Sequence, residues 1–305
     1  MESKLIPETK CAPSKKYKDG SCFSKESLQK LAIKYNERHN DKINIDATKK
    51  ELVTTFEKKL SNVCSEQTCW LKLDIVKEIE DEDDKDEIEN NTFRPTGPRK
   101  KYEWLSTTHI NEVIEQYQDV DKNFVFLGAV PYDFEELPIL GFKNMDFNKF
   151  INEGKNKIGM VINLDNHDQD GSHWVGLYSD LLKNHVYFFD SLGYPPRKRI
   201  RKFINRIVKF LYKRKYNEDL KINDVIETLK NKNTNEKYIK NLLGGAMDVR
   251  YNNIQHQFDN SECGVYSINF IIRLVQNEPF DNIIHNITKD EAMNQNRKIY
   301  FRNVN

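Results

Sequence analysis

Three short apolar runs joined by short polar connections constrain the fold of this chain more than any other feature. The runs cover 157–164, 173–180 and 185–191. Each has the length and the alternation of a strand with one face toward a core. The connections, 165–172 and 181–184, are too short to hold a crossover helix. The three runs therefore predict an antiparallel meander at the centre of the fold.

Helical patterns lie on both sides of this meander. A strand-like run at 124–130 precedes it, and a second strand-like run at 249–257 follows it. Apolar residues recur at helical spacing in the segments 107–117, 145–151, 197–215, 268–275 and 288–302. An antiparallel meander with helices before and after it predicts an α+β domain with a central antiparallel or mixed sheet flanked by helices.

The first 92 residues predict a separate, mainly helical module. Ser24 precedes one segment with apolar residues at helical spacing, and Asp46 or Thr48 begins a second that runs through Leu60, so each segment has a residue that can cap a helix. Residues 78–92 are acidic and nearly without apolar side chains, which is typical of a solvated linker. We therefore expect a module with its linker at 1–92 and a larger domain at 93–305.

Four of the five cysteines lie in this module, as Cys11, Cys22, Cys64 and Cys69. Four thiolates can bind zinc, but the two pairs are spaced more widely than the tight pairs of common zinc sites. Packed, reduced thiols are the alternative, and we predict no metal and no cofactor. Five cysteines in a chain of this length are also too few for a disulfide scaffold.

The charge balance excludes several classes of partner. Lys and Arg number 48 and Asp and Glu number 47, so no overall field favours nucleic acid, and we predict no specific nucleic-acid binding. The basic stretch 94–101 fits a surface loop that complements the acidic linker. No apolar run is long enough to enter a membrane, and the first residues lack the apolar core of a signal peptide. We expect a soluble, intracellular protein.

Cys263 stands where a polar loop meets the apolar segment 268–275. This position is the predicted start of a helix, where unpaired backbone N–H groups and the helix dipole favour an anion. A thiol there is biased toward the nucleophilic thiolate. The alternative is a buried cysteine that acts as a small apolar residue, because a lone nucleophile needs a base nearby.

The meander offers such a base. If the turn 181–184 is symmetric and Tyr178 faces His185, the same register sets His173 opposite Asp190. A carboxylate beside an imidazole orients the ring and stabilises its charged form, leaving the other nitrogen to accept a thiol proton. The alternative is an exposed histidine at a strand end and an aspartate that begins a turn.

These residues together carry a family resemblance. The motifs stand in this order along the chain: His173-Trp174, then Asp190-Ser191, then Gln257 six positions before Cys263-Gly264. In residue type, order and spacing they resemble the ubiquitin-like-protein-specific (Ulp-type) cysteine proteases. The N-terminal cysteine motifs and Gly97-Pro98-Arg99 are similar to the viral branch, the polyprotein-processing proteases of African swine fever virus and giant viruses.

The resemblance implies a papain-like core and a role for each motif residue. Cys263 would be the nucleophile, His173 the base, and Asp190 the residue that orients it. Gln257 would donate to the oxyanion together with the backbone N–H of Cys263. Two aromatic residues, Trp174 and Trp104, would wall a narrow substrate tunnel. Gln255 and His256 are neighbours that could take the oxyanion and base roles instead.

The resemblance also implies a substrate class. Viral members cut structural precursors after small residues, especially Gly-Gly, during particle maturation, so we expect a protein substrate and a location in the host cytoplasm and the virion. A deubiquitinase or deSUMOylase acting on host conjugates is the main alternative, followed by an acyltransferase and a scaffold with a vestigial site. The chain's own Gly244-Gly245-Ala246 is formally a cleavage site, although a turn explains it better.

Overall fold

The computed structural model of the protein describes residues 19–21, 23–63, 67–70, 73–77, 79, 95–219 and 247–301. The chain divides into two compact units, Met1–Thr96 with Ile299–Arg302, and Gly97–Lys298 with Asn303–Asn305. Several predictions fall outside the described residues: the acidic stretch 80–92 with the boundary at 92/93, Gly244-Gly245-Ala246, and Cys11, Cys22 and Cys64. The side chain of Cys69 is also outside the description, so the expectation of packed, reduced thiols and no metal stays a prediction.

The described part of the first unit is helical. Its helices are α1 (Lys25–Arg38), α2 (Lys49–Leu60), α3 (Gln67–Trp70) and α4 (Asp74–Lys77). Ser24 accepts the N–H of Ser27 at the start of α1, and Thr48 forms a capping box with Glu51 at the start of α2. Both predicted helices of this module are therefore present, with the predicted caps.

The second unit contains a five-stranded sheet and the helices around it. The strands are β1 (Phe124–Val130), β2 (Lys157–Asn163), β3 (Trp174–Asp180), β4 (His185–Phe189) and β5 (Asp248–Tyr251). Before β3 come α5 (Thr107–Ile114), α6 (Tyr117–Val120) and α7 (Phe147–Asn152). After β4 come α8 (Lys198–Tyr216), α9 (Cys263–Val275), α10 (Phe280–His285), α11 (Asp290–Gln295) and α12 (Arg297–Tyr300), of which the last two residues of α12 belong to the first unit. Among the described residues, no helix is both long and apolar enough to cross a membrane.

The strands follow chain order across the sheet, β1-β2-β3-β4-β5. The central pairs, β2 with β3 and β3 with β4, are antiparallel, whereas β1 with β2 and β4 with β5 are parallel. The predicted meander and the mixed sheet are confirmed. One consequence matters for the site: β4 and β5 end at the same edge of the sheet, and β3 begins there.

The predicted register between β3 and β4 is wrong by two residues. His185 pairs with Asp180, and Tyr178 pairs with Tyr187. The Asp180 carboxylate accepts the N–H groups of Leu182 and Lys183, which forms a turn directly after Asp180, so Asp180 and not Tyr178 lies opposite His185. Because side chains alternate with a period of two, a shift of two residues keeps every side chain on its predicted face.

Helices cover both faces of the sheet. On one face, α8 contributes a row of buried apolar residues, Ile200, Phe203, Ile204, Ile207, Val208 and Leu211, to a core that includes Val175 and Phe188. On the other face, α9 packs against two glycines of the sheet. The ring of Phe270 lies over Gly176, and Ile271 lies over Gly159. Phe270 also stacks on Phe189 with ring centroids 5.0 Å apart. The sheet glycines thus allow α9 to approach closely and place its first residue at the sheet edge.

Several element boundaries differ from the predictions. Ser106, not Thr107 or Thr108, caps α5, because its hydroxyl accepts the N–H of His109. The strand expected at 249–257 ends at Tyr251, since the next residue, Asn252, uses its side chain to bind another loop. The helix expected at 288–302 is divided into α11 and α12.

The close packing of α9 on the sheet is testable at Gly176. A Cβ at this position would lie 2.6 Å from Cδ1 of Phe270, so we expect Gly176→Ala to lower the free energy of unfolding by about 1–3 kcal/mol. Urea denaturation measures the change. The double variant Gly176→Ala with Phe270→Leu should recover part of the loss; unchanged stability in the single variant would contradict the packing described.

Candidate active site

Three loops meet at the sheet edge where β4 and β5 end and β3 begins. His173 immediately precedes β3, and Asp190 immediately follows β4. The loop after β5 contains Gln257 and leads to Cys263, the first residue of α9. The sheet topology therefore gathers residues that are up to 90 positions apart in sequence, 173 to 263, at one place.

His173 and Asp190 form the centre of this site. The Nε2 atom of His173 lies 2.7 Å from Oδ1 of Asp190, and the side chain of Cys263 is near enough to the ring to raise its pKa. With Nε2 bound to the carboxylate, Nδ1 is left for the sulfur. The residues thus lie in the order Cys263, His173, Asp190, the arrangement that nucleophilic catalysis by a thiol requires.

The surroundings of His173 favour its charged form. Burial opposes the imidazolium, but hydrogen bonds from the ring to Asp190 and Cys263 outweigh it and raise the pKa of His173 to about 9. The ring is therefore mostly an imidazolium at neutral pH. A neighbouring imidazolium stabilises a thiolate, which is the nucleophilic form of cysteine.

Asp190 is held by a residue that the sequence patterns did not single out. Asn252 is fully buried, and its side-chain amide binds the backbone of Asp190 twice: the N–H of Asp190 donates to Oδ1 (2.8 Å), and Nδ2 donates to the carbonyl (2.7 Å). Nδ2 also donates to the carbonyl of Ile254. This one side chain continues the pairing of β4 with β5 beyond the ends of both strands.

Gln257 is fixed by the residue after Asp190. The Ser191 hydroxyl donates to Oε1 of Gln257 (2.7 Å), and the Ser191 carbonyl accepts the N–H groups of His256 and Gln257. Nε2 of Gln257 donates to the carbonyl of Asp259 (2.7 Å). A carboxamide nitrogen carries two hydrogens, so one donor remains for a further acceptor. Ser191, which stands beside Asp190 in the motif, is thus a positioning residue for Gln257.

The residue before Cys263 belongs to a buried ion pair. Glu262 is the N-cap residue of α9, and its carboxylate accepts from Nε (2.8 Å) and Nη2 (3.0 Å) of the fully buried Arg297. Arg297 also donates to the carbonyls of Ser261 and Glu103. Removing one member of such a pair leaves a buried charge uncompensated. The pair therefore fixes the backbone that leads into the nucleophile, and spacing in the sequence gives no sign of it.

The two predicted tryptophans occupy different environments. Trp174 is buried, and its indole N–H donates to the carbonyl of Leu105 (2.9 Å). Trp104 is 51% exposed. Leu105 lies over the start of α9, where a Cβ on Gly264 would lie 3.0 Å from its side chain. Trp174 thus holds the 104–105 segment over the helix that begins with Cys263, and Trp104 stands at the surface beside it.

Gln255 and His256, the alternatives for the oxyanion and base roles, are bonded to other backbone carbonyls. The ring of His256 is bonded to the carbonyl of Ile284 through Nε2 (3.1 Å) and packs edge-on against Phe189. Burial lowers the pKa of His256. Gln255 donates to the carbonyl of Gln257 (2.8 Å). Within the described part of the chain, no group of three or more His, Cys, Asp or Glu side chains is arranged to bind a metal.

Comparison with known proteins places the chain among proteases. A family model described as the Ulp1 protease family, C-terminal catalytic domain, matches residues 144–304. A protein of Acanthamoeba polyphaga mimivirus named as a thiol protease is 34% identical over 310 residues, which cover 96% of this chain and 93% of the relative. A protein of African swine fever virus named as a SUMO-1 cysteine protease is 25% identical over 271 residues, covering 83% and 88%.

A solved structure supports the same grouping at the level of the fold. The crystal structure of a protease from African swine fever virus superposes with a TM-score of 0.52 at 22% sequence identity, covering 87% of this chain and 94% of that protein. The viral source of the relatives supports a viral origin. On the family match and on its likeness to the mimivirus protein, the chain belongs to the Ulp1 protease family and is a cysteine protease.

Proposed function

We propose that this protease cleaves viral structural precursors after Gly-Gly-type sites during virion maturation, acting in the host cytoplasm and in the assembling virion. The observation that carries the catalytic part is the hydrogen bond of His173 to Asp190 at one edge of the sheet, with Cys263 near enough to His173 to raise the pKa of the ring. The viral relatives, all named as proteases, support the viral setting.

In the proposed reaction, Cys263 attacks the scissile carbonyl carbon as a thiolate, its proton having passed to His173. A carbon–sulfur bond forms and the carbonyl oxygen becomes an oxyanion. When the intermediate collapses, the carbon–nitrogen bond breaks and His173 returns the proton to the leaving amine. Water, deprotonated by His173, then attacks the thioester, which releases the carboxylate and restores the thiol.

The oxyanion would be bound by two donors. One is the backbone N–H of Cys263, which is free of intrahelical partners because it lies in the first turn of α9. The other is the second N–H of the Gln257 side-chain amide, the first being bound to Asp259. Losing one such donor typically lowers kcat by about 10²- to 10³-fold.

A narrow approach to the thiol favours glycine before the scissile bond. Leu105 packs on Gly264, the residue after the nucleophile, and Trp174 holds the Leu105 backbone in place, so the 104–105 segment lies beside the start of α9. We assign Trp174 and Trp104 to the walls of this approach. A glycine pair has no side chain to clash with such walls, and its backbone can pass through a narrow opening.

Cleavage of host ubiquitin-like conjugates is the second candidate. African swine fever virus relatives bear the name SUMO-1 cysteine protease. A conjugate also ends in a Gly-Gly acyl group, so the same catalytic residues serve both substrates. The two functions differ in what lies beyond the cleft: a folded ubiquitin-like domain or an extended precursor segment.

We expect the protein to cleave a Gly-Gly-Ala peptide within an extended viral precursor faster than SUMO- or ubiquitin-rhodamine at equal concentration. Chromatography with mass detection for the peptide, and fluorescence for the conjugates, measure kcat/KM. Cys263→Ala should abolish both activities because the nucleophile is lost. The reverse preference would favour the second candidate, and activity in Cys263→Ala would overturn the mechanism.

The charge on His173 predicts a pH profile. Because the pKa of His173 is raised to about 9, the imidazolium is present below that pH and is lost above it. We expect kcat/KM of the wild type to fall on the alkaline side near pH 9. Asp190→Asn removes the carboxylate that stabilises the imidazolium, so the alkaline limb should move to lower pH and kcat should fall by about 10²- to 10⁴-fold. An unmoved limb in Asp190→Asn would contradict the assignment.

Ser191 provides a test of how Gln257 is positioned. Ser191→Ala removes the hydroxyl that binds Oε1, so we expect kcat to fall by up to about 10-fold, less than the 10²- to 10³-fold expected for Gln257→Ala. KM should change little, because the lost interaction acts on the transition state.

Ser179→Ala is the matched control, since that buried hydroxyl bonds the carbonyl of His185 at the far end of β3. It should leave kcat unchanged. A loss in Ser179→Ala as large as in Ser191→Ala would indicate a general effect on the sheet.

A further inference from the structure

A cavity opens beside His173 and Asp190, and the mechanism above does not use it. Its volume is about 430 Å³, within the range of sites that bind ligands. The walls include His173 and Asp190, the apolar side chains of Phe188 and Leu192, and Tyr194 and Arg197. The volume is sufficient for one large side chain and part of the next residue.

The order of the catalytic groups gives the direction of the substrate. The scissile carbonyl carbon must lie at the sulfur of Cys263, and the leaving nitrogen must lie within reach of the proton on His173. The first residue after that nitrogen must therefore bind beside His173. Because His173 also lines the cavity, the cavity adjoins the position of that residue.

The chemistry of the cavity is mixed. Phe188 is almost fully buried and Leu192 is half-buried, so together they form an apolar wall. Asp190 contributes little net charge because His173 is its partner. Arg197 is exposed, and Nη1 donates to the carbonyl of Leu164 (3.1 Å); among the described residues, no carboxylate forms an ion pair with it. Its positive charge at the rim favours an acidic group.

The cavity is built on fixed backbone. Gly193 has a positive φ of 74°, and a Cβ there would lie 2.9 Å from the carbonyl carbon of Ile254. The loop that carries Leu192 and Tyr194 is thus in direct contact with the loop after β5. Asn252 joins the same two loops through the backbone of Asp190. A preformed cavity selects a side chain with less loss of conformational entropy than a mobile loop does.

We propose that this cavity is the subsite for the leaving segment, and that it selects a large apolar residue directly after the scissile bond, followed by an acidic residue that contacts Arg197. The assignment rests on the proposed peptidase function and specifies the substrate class of the same site. It adds a requirement on the carboxyl side of the Gly-Gly pair.

Peptides with one acyl side and different leaving sides test this subsite. Gly-Gly is followed by Ala-Ala, Leu-Ala, Leu-Glu or Leu-Lys, and kcat/KM is measured by chromatography. We expect Leu-Ala to exceed Ala-Ala by about 10- to 100-fold, the range for burying a large apolar side chain. Leu-Glu should exceed Leu-Lys by about two- to fivefold, the range for an exposed ion pair.

Reversing the charge at Arg197 tests whether this residue causes the preference for Leu-Glu over Leu-Lys. Arg197→Glu should invert the order, so that Leu-Lys is cleaved faster than Leu-Glu. Lys202→Glu is the control: it makes the same charge change at an exposed position of α8 that is absent from the cavity wall, and it should keep the wild-type order.

The outcomes separate the two proposals. If the wild type cleaves all four peptides at similar rates, the subsite assignment is overturned and the peptidase function stands. If Arg197→Glu and Lys202→Glu change the order equally, the acidic preference comes from the general field of α8, which overturns the role of Arg197. If no peptide is cleaved by the wild type, the proposed function fails and the subsite fails with it.

Discussion

The site depends on one buried carboxamide. Asn252 binds the N–H and the carbonyl of Asp190 as a neighbouring strand would, although β5 has already ended at Tyr251. A buried backbone group left without a partner costs about 1–3 kcal/mol, so this side chain strongly favours one position for the Asp190 loop. The backbone carbonyl of Ser191, the next residue, accepts the N–H groups of His256 and Gln257. The acid that orients the base and the amide proposed for the oxyanion are therefore positioned by the same pair of loops.

A second buried interaction acts on the nucleophile from the other side. Glu262 and Arg297 form an ion pair with almost no exposure, and Arg297 also binds the carbonyl of Glu103. A buried pair of this kind adds little net stability compared with apolar residues of the same volume, whereas breaking it is expensive. Its contribution here is to position the backbone. The Arg297 guanidinium binds both Glu262, the residue before Cys263, and the carbonyl of Glu103, the residue before Trp104.

Periodicity predicted the residues of this site better than it predicted their pairing. Alternation puts His173 and Asp190 on one face even though the predicted register is wrong by two residues, because alternation has a period of two. Cys263 could be placed at a helix start because an apolar segment follows it. Asn252 and Arg297 could not be found, since each acts through polar contacts on a residue that is 62 or 35 positions away in the sequence. Such contacts leave no repeat in the sequence.

The raised pKa of His173 has opposite effects on the two proton transfers of the proposed mechanism. A pKa of about 9 means that the ring holds a proton before substrate arrives, and an imidazolium beside a cysteine favours attack by sulfur. The same stabilisation makes the imidazolium a weaker acid toward the leaving amine. The fixed carboxylate of Asp190 thus favours attack at the expense of amine release. Binding of the leaving segment beside His173 would offset that loss, because it holds the amine nitrogen within reach of the proton when the carbon–nitrogen bond breaks.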